Sequence, residues 1–561
     1  MSSDPSQSSV AAPRIAVDVR RFPWIRRLAA DYAFDFASVS RFFVANPAER
    51  ASWRGVIART QAFDRPRADV ASLLAAQQAR RHAPAEARAS AERLRDTRTV
   101  AVLTGQQAGL FGGPLFTLLK ALTALKVARE IEATHGTPAV TIFWVDAEDH
   151  DWDEVSSCTV LDGELHPRRI ALAPPPGAGE VPVASLVLDG GGNREGGADD
   201  SGLAGALDAL EAALPASEFT PSVVASLREA YRPGRGMADA FARWMETLLG
   251  RYGLIVFDSS DPASKALLKP VFSRELEAPG RTSQLAAQAG ADLERLGYHA
   301  QVAAPAGPAL FHVDRRREAI RHEGARYVIG GASYQASELV ARVTSHPSAF
   351  SPNVLLRPIV EDTLFPTVCY IAGPSELAYL AQLRGVYEHF GVPMPLYYPR
   401  ASATILDSAA ARFLARYEVP IEAFHTPGDG ALNHLLESQL PPGVDATFQD
   451  AVHTVDERMN ALAAAVPAID PTLEGAARST LGRMQHDLKA LHGKIIQAAK
   501  RRDETLRRQF ERVRAQAFPG GQPQERAIGT VSFLARYGPV LVDRLDDTLP
   551  LDLGHHWVVT M

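Results

Sequence analysis

The sequence predicts an α/β protein: a parallel-sheet core that carries two small inserted modules and is followed by an α-helical coiled coil. Three observations point there. Residues 99–154 read as strand, glycine-rich turn, long helix and second strand, the pattern of one parallel unit. The same alternation of helix, short apolar strand and polar outlet returns at LIVFD (254–258) and at Thr367–Ile371. Between about Asp450 and Ala517 the apolar residues instead fall three and four apart, in a segment too charged for burial all round.

The composition fits this picture. A chain of 561 residues with 46% hydrophobic and 22% charged residues suits a soluble protein of several domains. The balance of 59 basic against 65 acidic residues gives no nucleic-acid footprint. There is no run of about eighteen apolar residues to cross a membrane. The start, MSSDPSQSSVAAP, has neither the positive nor the apolar region of an export signal, so a cytoplasmic location is expected. The only cysteines, Cys158 and Cys369, sit in apolar runs and read as core residues.

Residues 1–98 form an N-terminal helical layer, interrupted at Asn46–Pro47 and at Pro84. Residues 99–162 are the first core unit. Thr99–Leu103 is its strand; Gly105, Gly109, Gly112 and Gly113 break it, and Pro114 opens the helix. Glycines admit a ligand close to the backbone and helix-start N–H groups attract anions, so this turn is a candidate cradle, with the amides of Gln106 and Gln107 beside it. Its spacing matches neither the P-loop nor the dinucleotide fingerprint, and a purely structural connection explains it equally well. Lys120 lies too far along the helix to be expected at the site. The second strand, Thr141–Val145, opens into Asp146, Glu148, Asp149, His150, Asp151, Asp153 and Glu154. Such a cluster repels itself unless a cation or a shared proton sits within it. Strand ends of this kind are where open α/β sheets bind ligands, and the flanking Trp144 and Trp152 argue against a freely solvated loop.

TGQQAGLFGGPLFTLLK followed by FWVDAEDHDWDEV resembles the cysteine ligase family of bacillithiol biosynthesis, BshC. FSPNVLLRPIVEDTLFPTVCYIAGPSELAYL, HFGVPMPLYYPRAS and FLARYGP are similar to the same family, and the resemblance runs from about residue 15 to the C-terminus. It implies the last step of bacillithiol synthesis, in which L-cysteine is joined to glucosaminyl-malate through an amide, and it implies a homodimer formed by the coiled coil. Direct condensation in water is unfavourable, so ATP with Mg²⁺ is the expected activating agent.

Residues 163–203 are a Gly/Pro-rich insertion, in which Pro174–Gly177 and Gly190–Gly192 bracket VPVASLVLD, expected as a strand or hairpin arm. Residues 204–280 continue the core, with helices up to Leu249, the strand at 254–258 and a polar outlet from Asp258 to Asp261. Residues 281–350 form a second inserted module, with short antiparallel strands at YHAQV, LFHVDRR and ARYVIGG; Tyr298, His299, Gln301 and Arg315 are candidate contacts. Residues 351–447 are the second half of the core. Here Asn353–Val360 is expected as a strand holding Arg357, whose guanidinium needs either an acid or a ligand carboxylate or phosphate. The turn Ala372–Glu376 echoes the first one, and Arg400 ends the last strand. Residues 448–517 are the coiled coil, with Leu481, Met484, Leu488, Leu491 and Ile495 on one stripe, continued by Leu506, Phe510 and Val513. Residues 518–561 fold back onto the core, with His555 and His556 read as structural.

The core is thus Rossmann-like, and its candidate residues divide by task. Gly105, Gln106, Gln107 and Gly109 are expected to hold a phosphate or a substrate carboxylate. Asp149, His150, Asp151 and Asp153 are expected to bind the cysteine ammonium or Mg²⁺, or to supply the base that frees the amine. Asn353, Arg357, Glu376 and Arg400 are expected on the substrate side, the last three orienting the malate end. Two rivals stand beside this reading: a metal-dependent hydrolase or amidase built on Glu148–Glu154, and a non-catalytic dimeric scaffold that binds a nucleotide or thiol metabolite.

Overall fold

The computed structural model describes residues 14–189, 202–302, 307–314, 316–439, 443–502 and 504–561. Its centre is a five-stranded sheet of β1 (Val100–Gln107), β2 (Ala139–Asp146), β3 (Leu254–Asp258), β4 (Thr367–Ala372) and β5 (Leu396–Pro399). The order is β5-β4-β1-β2-β3 and every pairing is parallel. The chain therefore reverses its winding between β1 and β4, and the crevice outside the carboxyl ends of those two strands is where such a sheet binds ligands. Both faces of the sheet are covered, which is why Val100–Gly105 and Thr367–Ala372 are buried without a break and read as continuous apolar runs.

β1 does not stop at Gly105, as expected, but runs on to Gln107. Gly105 pairs with Trp144 of β2, and a Cβ there would stand 2.8 Å from the Trp144 carbonyl oxygen. The glycine serves the neighbouring strand. The true turn lies at Gly109–Gly113, where Gly112 takes a φ of 93° and a Cβ would meet the Trp244 indole nitrogen at 2.5 Å. It feeds α1 (Leu115–His135), whose residues are buried on nearly every side and which ends on Gly136 in the left-handed conformation.

Three local expectations are corrected. VPVASLVLD is not a strand: Pro182 precedes one 3₁₀ turn, Val183–Ser185, and Val187 makes an isolated bridge to Gly236. The antiparallel pair of this region is Ser157–Leu161 with Pro167–Ala171. Gly190–Gly192 lie outside the described residues. YHAQV forms no strand, whereas LFHV and RYVI do, in two separate three-stranded antiparallel sheets. Arg315 lies outside the described residues. Most consequentially, Arg357 is not in a strand. The strand Phe350–Pro352 ends first, the Asn353 side chain accepts the N–H groups of Leu355 and Leu356, and Pro358 sits in the first turn of α2 (Arg357–Leu364). After β4 comes α3 (Pro374–Leu380).

Two compact units result: one holds the chain up to Thr404 together with Gln524–Val559, the other Ile405–Pro523. In the first, Arg14–Asp18 pairs antiparallel with His555–Val559, and His556 is buried between the hydroxyls of Ser402 and Thr404. The second contains α4 (Val444–Ala465), α5 (Leu473–Arg502) and α6 (Glu504–Ala517). α4 and α5 form the helical hairpin, joined by Gln485 donating to Asp456 and by Phe448 stacked on His492. Leu506, Phe510 and Val513 do not extend its exposed stripe; they are buried, with Phe510 4.5 Å from Phe424. This small core is why the helical unit begins before residue 448. Among the described residues no helix is long and apolar enough to cross a membrane.

Candidate active site

On one flank of the crevice the cations arrive already paired. Lys120 lies in the second turn of α1, but helical side chains lean back toward the N-terminus, and its ammonium reaches the end of β1. It donates to the Gly105 carbonyl at 2.8 Å and stands 2.6 Å from a Glu376 oxygen. Glu376, in the first turn of α3, also accepts the Gly373 N–H at 2.6 Å and the Tyr370 hydroxyl at 3.2 Å. The pair thus ties β1 to β4 across the point where the winding reverses. Burial pushes the Glu376 carboxyl up, but Lys120 outweighs it and holds the group below its usual range.

Arg357 begins α2 and donates to the Tyr379 hydroxyl at 2.7 Å, with Asp146 at 3.4 Å and Glu361 at 3.5 Å. Burial works against its charge, yet Tyr379, Glu361 and Asp146 hold its pKa well above the ordinary arginine value. Glu361 is fully enclosed, and burial drives it up to about 8 even with Arg357 opposing. Arg400 follows β5 and meets Glu525 through two nitrogens, at 3.1 and 2.7 Å. Burial would raise the Glu525 carboxyl, but Arg400 brings it down to about 2.

The other flank is the outlet of β2, and the cations that its acids require come from three separate segments. Arg357 faces Asp146, Lys265 pairs with the buried Glu148, and Arg317 stands 3.4 Å from Asp149. Asp149 also takes the Gln107 amide at 3.3 Å and both the backbone N–H (2.7 Å) and the ring Nδ1 (3.1 Å) of His150. An ionised carboxylate only accepts, so a neutral His150 ring in this contact donates from Nδ1 and keeps its lone pair on Nε2. Both side chains stay partly open, 45% exposed for His150 and 37% for Asp149. Burial, then Asp151, raises the Glu154 carboxyl.

The predicted residues therefore separate. Lys120, set aside from the sequence, is central to one group, with Glu376 and Gln106 at its ammonium, while Gln107, Asp149 and His150 form a second and Arg357 faces Asp146. Arg400 is neutralised by Glu525, and Asn353 shapes the turn into α2. Asp151 caps the short helix Trp152–Val155 by accepting the Glu154 N–H, and Asp153 is exposed. Tyr298 and Gln301 bond instead to Asp31 and Arg26 of the N-terminal helices, and His299 is exposed. Cys158 and Cys369 are buried.

Lys120, Lys265, Arg317 and Tyr379 were missed. A lone lysine inside TLLKAL was the available signal for the first, because a buried ammonium needs a partner. The glycine turn fits phosphates poorly: Gly109, Gly112, Gly113 and Leu115 all donate their N–H groups within the chain, Leu115 to the Ile528 carbonyl. Among the described residues no three His, Cys, Asp or Glu side chains converge as metal ligands.

Residues 16–401 match the family described as bacillithiol biosynthesis BshC, N-terminal Rossmann-like domain, and residues 403–561 match its C-terminal coiled-coil domain. Relatives named "Putative cysteine ligase BshC" are similar along almost the whole chain. The protein from Salinibacter ruber is 35% identical over 95% of this chain and 96% of its own length. The one from Koribacter versatilis is 32% identical over 95% and 97%, and the one from Symbiobacterium thermophilum 33% over 94% and 96%.

Proposed function

The chain belongs to the BshC family of bacillithiol biosynthesis, and from that premise we propose that it is a ligase joining L-cysteine to glucosaminyl-malate by an amide bond. This is the last step of the route, and we place it in the cytoplasm. One observation carries the assignment: Asp149 and His150 stay half open on the acidic flank of the crevice, at the same strand ends as the cations Lys120 and Arg357 of the basic flank, each of which already has a carboxylate partner. A lining that holds both signs suits two substrates of opposite charge at their reacting ends, an ammonium and a carboxylate.

In this reading the ammonium of cysteine lies against Asp149, and His150 Nε2 removes a proton from it. The freed amine attacks the malyl carboxyl carbon, whose oxygens face Arg357; the C–N bond forms as one C–O bond breaks, that oxygen leaving with the group that activated it, and the nitrogen sheds its second proton. ATP with Mg²⁺ would supply the activation that a carboxylate lacks in water. Because the glycine turn's N–H groups are engaged by the chain itself, its residues do not fit the phosphates, and no step is assigned through them. A second copy of the chain is expected on the hairpin seam where Leu462, Met484 and Leu491 are exposed.

Mass spectrometry of the purified protein with glucosaminyl-malate and L-cysteine, with and without Mg-ATP, tests the assignment. ATP-dependent bacillithiol with matching ADP or AMP is the expected result. No product under either condition would remove the ligase reading for the isolated chain.

A further inference from the structure

We propose that Arg317, carried by the second inserted module, is a positioning residue for Asp149 and His150: its guanidinium fixes the carboxylate that decides which ring nitrogen of His150 can take a proton. The inference rests on His150 being the base of the proposed ligase reaction. It goes beyond that reading by giving the inserted modules a task in the chemistry.

Arg317 is 8% exposed, far below what a solubilising surface arginine shows. It stacks 3.8 Å over the Phe311 ring and donates to the Pro352 carbonyl at 3.2 Å, while its Nε is buried with no hydrogen-bond partner. The acids that balance its charge are Asp149, then Glu148 and Asp146, all on the β2 outlet. Of these Asp146 also faces Arg357, and Glu148 is paired with Lys265. Asp149 has no other cation within ion-pair distance among the described residues, apart from His150 itself.

Both oxygens of the Asp149 carboxylate are engaged. One oxygen is shared by Arg317, the His150 N–H and His150 Nδ1; the other takes Gln107. The first inserted module holds the backbone of the same loop, through Val183 N–H to the Asp149 carbonyl at 2.7 Å and Ala184 N–H to the Ala147 carbonyl at 2.9 Å. The two modules are also bonded to each other, since the Arg317 N–H donates to the Glu180 carbonyl and Arg316 pairs with the Glu180 carboxylate. Without Arg317 the Asp149 carboxylate loses its anchor on the module side and is free to rotate about its side-chain torsions. The imidazole it orients is then no longer held at Nδ1. Partners that orient a catalytic or metal-bound group in this way are commonly worth about 10- to 100-fold.

The test compares Arg317→Gln, Arg317→Lys, His150→Ala and the double variant Arg317→Gln/His150→Ala in bacillithiol formation. Arg317→Gln should lower kcat by about tenfold or more, with KM for both substrates within about twofold, and Arg317→Lys should recover most of that loss. The double variant should be no slower than His150→Ala. Losses that multiply in the double variant would overturn the proposal, as would an effect confined to KM, which marks direct substrate contact. Should Arg317→Gln fail to fold, Arg317→Met takes its place: a kcat loss in a His150 background but none in a His150→Ala background supports the proposal, and equal losses in both, or none in either, refute it. Full activity in His150→Ala would remove the base assignment itself, and Arg317 with it.

Discussion

The two flanks of the crevice are built to different standards of closure. On the basic flank two buried cations meet a carboxylate at close range, Lys120 with Glu376 at 2.6 Å and Arg400 with Glu525 at 2.7 Å, while Arg357 stands 3.4 Å from Asp146; the acidic flank has one such sealed pair, Lys265 with Glu148. On the acidic flank the side-chain contacts of Asp149 with Gln107 and Arg317 are 3.3 and 3.4 Å long, and Asp149 and His150 remain partly open to water. Charges sealed in low dielectric stabilise the fold only while both partners are present, whereas half-open groups contribute little to stability and stay free to exchange protons. The difference teaches that the basic flank doubles as framework and the acidic flank is the working surface.

The contrast breaks most visibly at Glu525. Glu525→Gln leaves Arg400 buried without its counter-charge, and the fold should lose about 3–5 kcal/mol in denaturant unfolding. The pH dependence follows from the same pair. The Glu525 carboxyl sits at about 2 in the fold against 4.5 unpaired, so its stabilisation is complete above about pH 4.5 and lost as pH falls toward 2. Glu525→Gln should erase that part of the acid limb.

His150→Ala is the complementary case. Bacillithiol formation should fall by on the order of a hundredfold or more, while the unfolding midpoint stays near that of the parent. A large loss of stability in this variant would refute the division between framework and working surface.

A pH effect of opposite sign is expected at Glu361, the enclosed acid of the basic flank. Its pKa of about 8 in the fold, against 4.5 unpaired, means the fold holds the proton more tightly; stability should decline as pH rises from about 4.5 to about 8. Glu361→Gln should flatten this decline in a thermal-melt series, though not abolish it, since Asp362 and Glu275 are each pushed up to about 7 by burial. Least of all, Asp151→Ala should cost about 1 kcal/mol of stability through the lost cap on Trp152–Val155, and bacillithiol formation should persist.

The core was legible because buried parallel strands announce themselves. Thr141–Val145, LIVFD and Thr367–Ile371 are apolar on both faces, and each is a strand of the sheet. The stretch around Arg357 was misread because Leu355, Leu356, Ile359 and Val360 are as apolar as a strand. The corrective lay in the same run, since Pro358 cannot donate to a central ladder and Asn353 is a turn former. Lys120 was discounted on its distance along the helix, a count of Cα positions that neglects the backward lean and four-carbon reach of the side chain. Arg317 and Lys265 could not be found by any local pattern, because what makes them matter is a contact more than a hundred residues away in the chain.

The pairing of Arg14–Asp18 with His555–Val559 has a consequence in time. At ~5–20 residues per second on the ribosome, the first of these strands waits roughly half a minute to two minutes before its neighbour is synthesised. Glu525 is made 125 residues after Arg400, which therefore emerges ahead of the acid that neutralises it. The nascent chain carries an unpaired strand and an uncompensated guanidinium until these later segments follow, the interval in which a chaperone that shields strand edges would have the most to do.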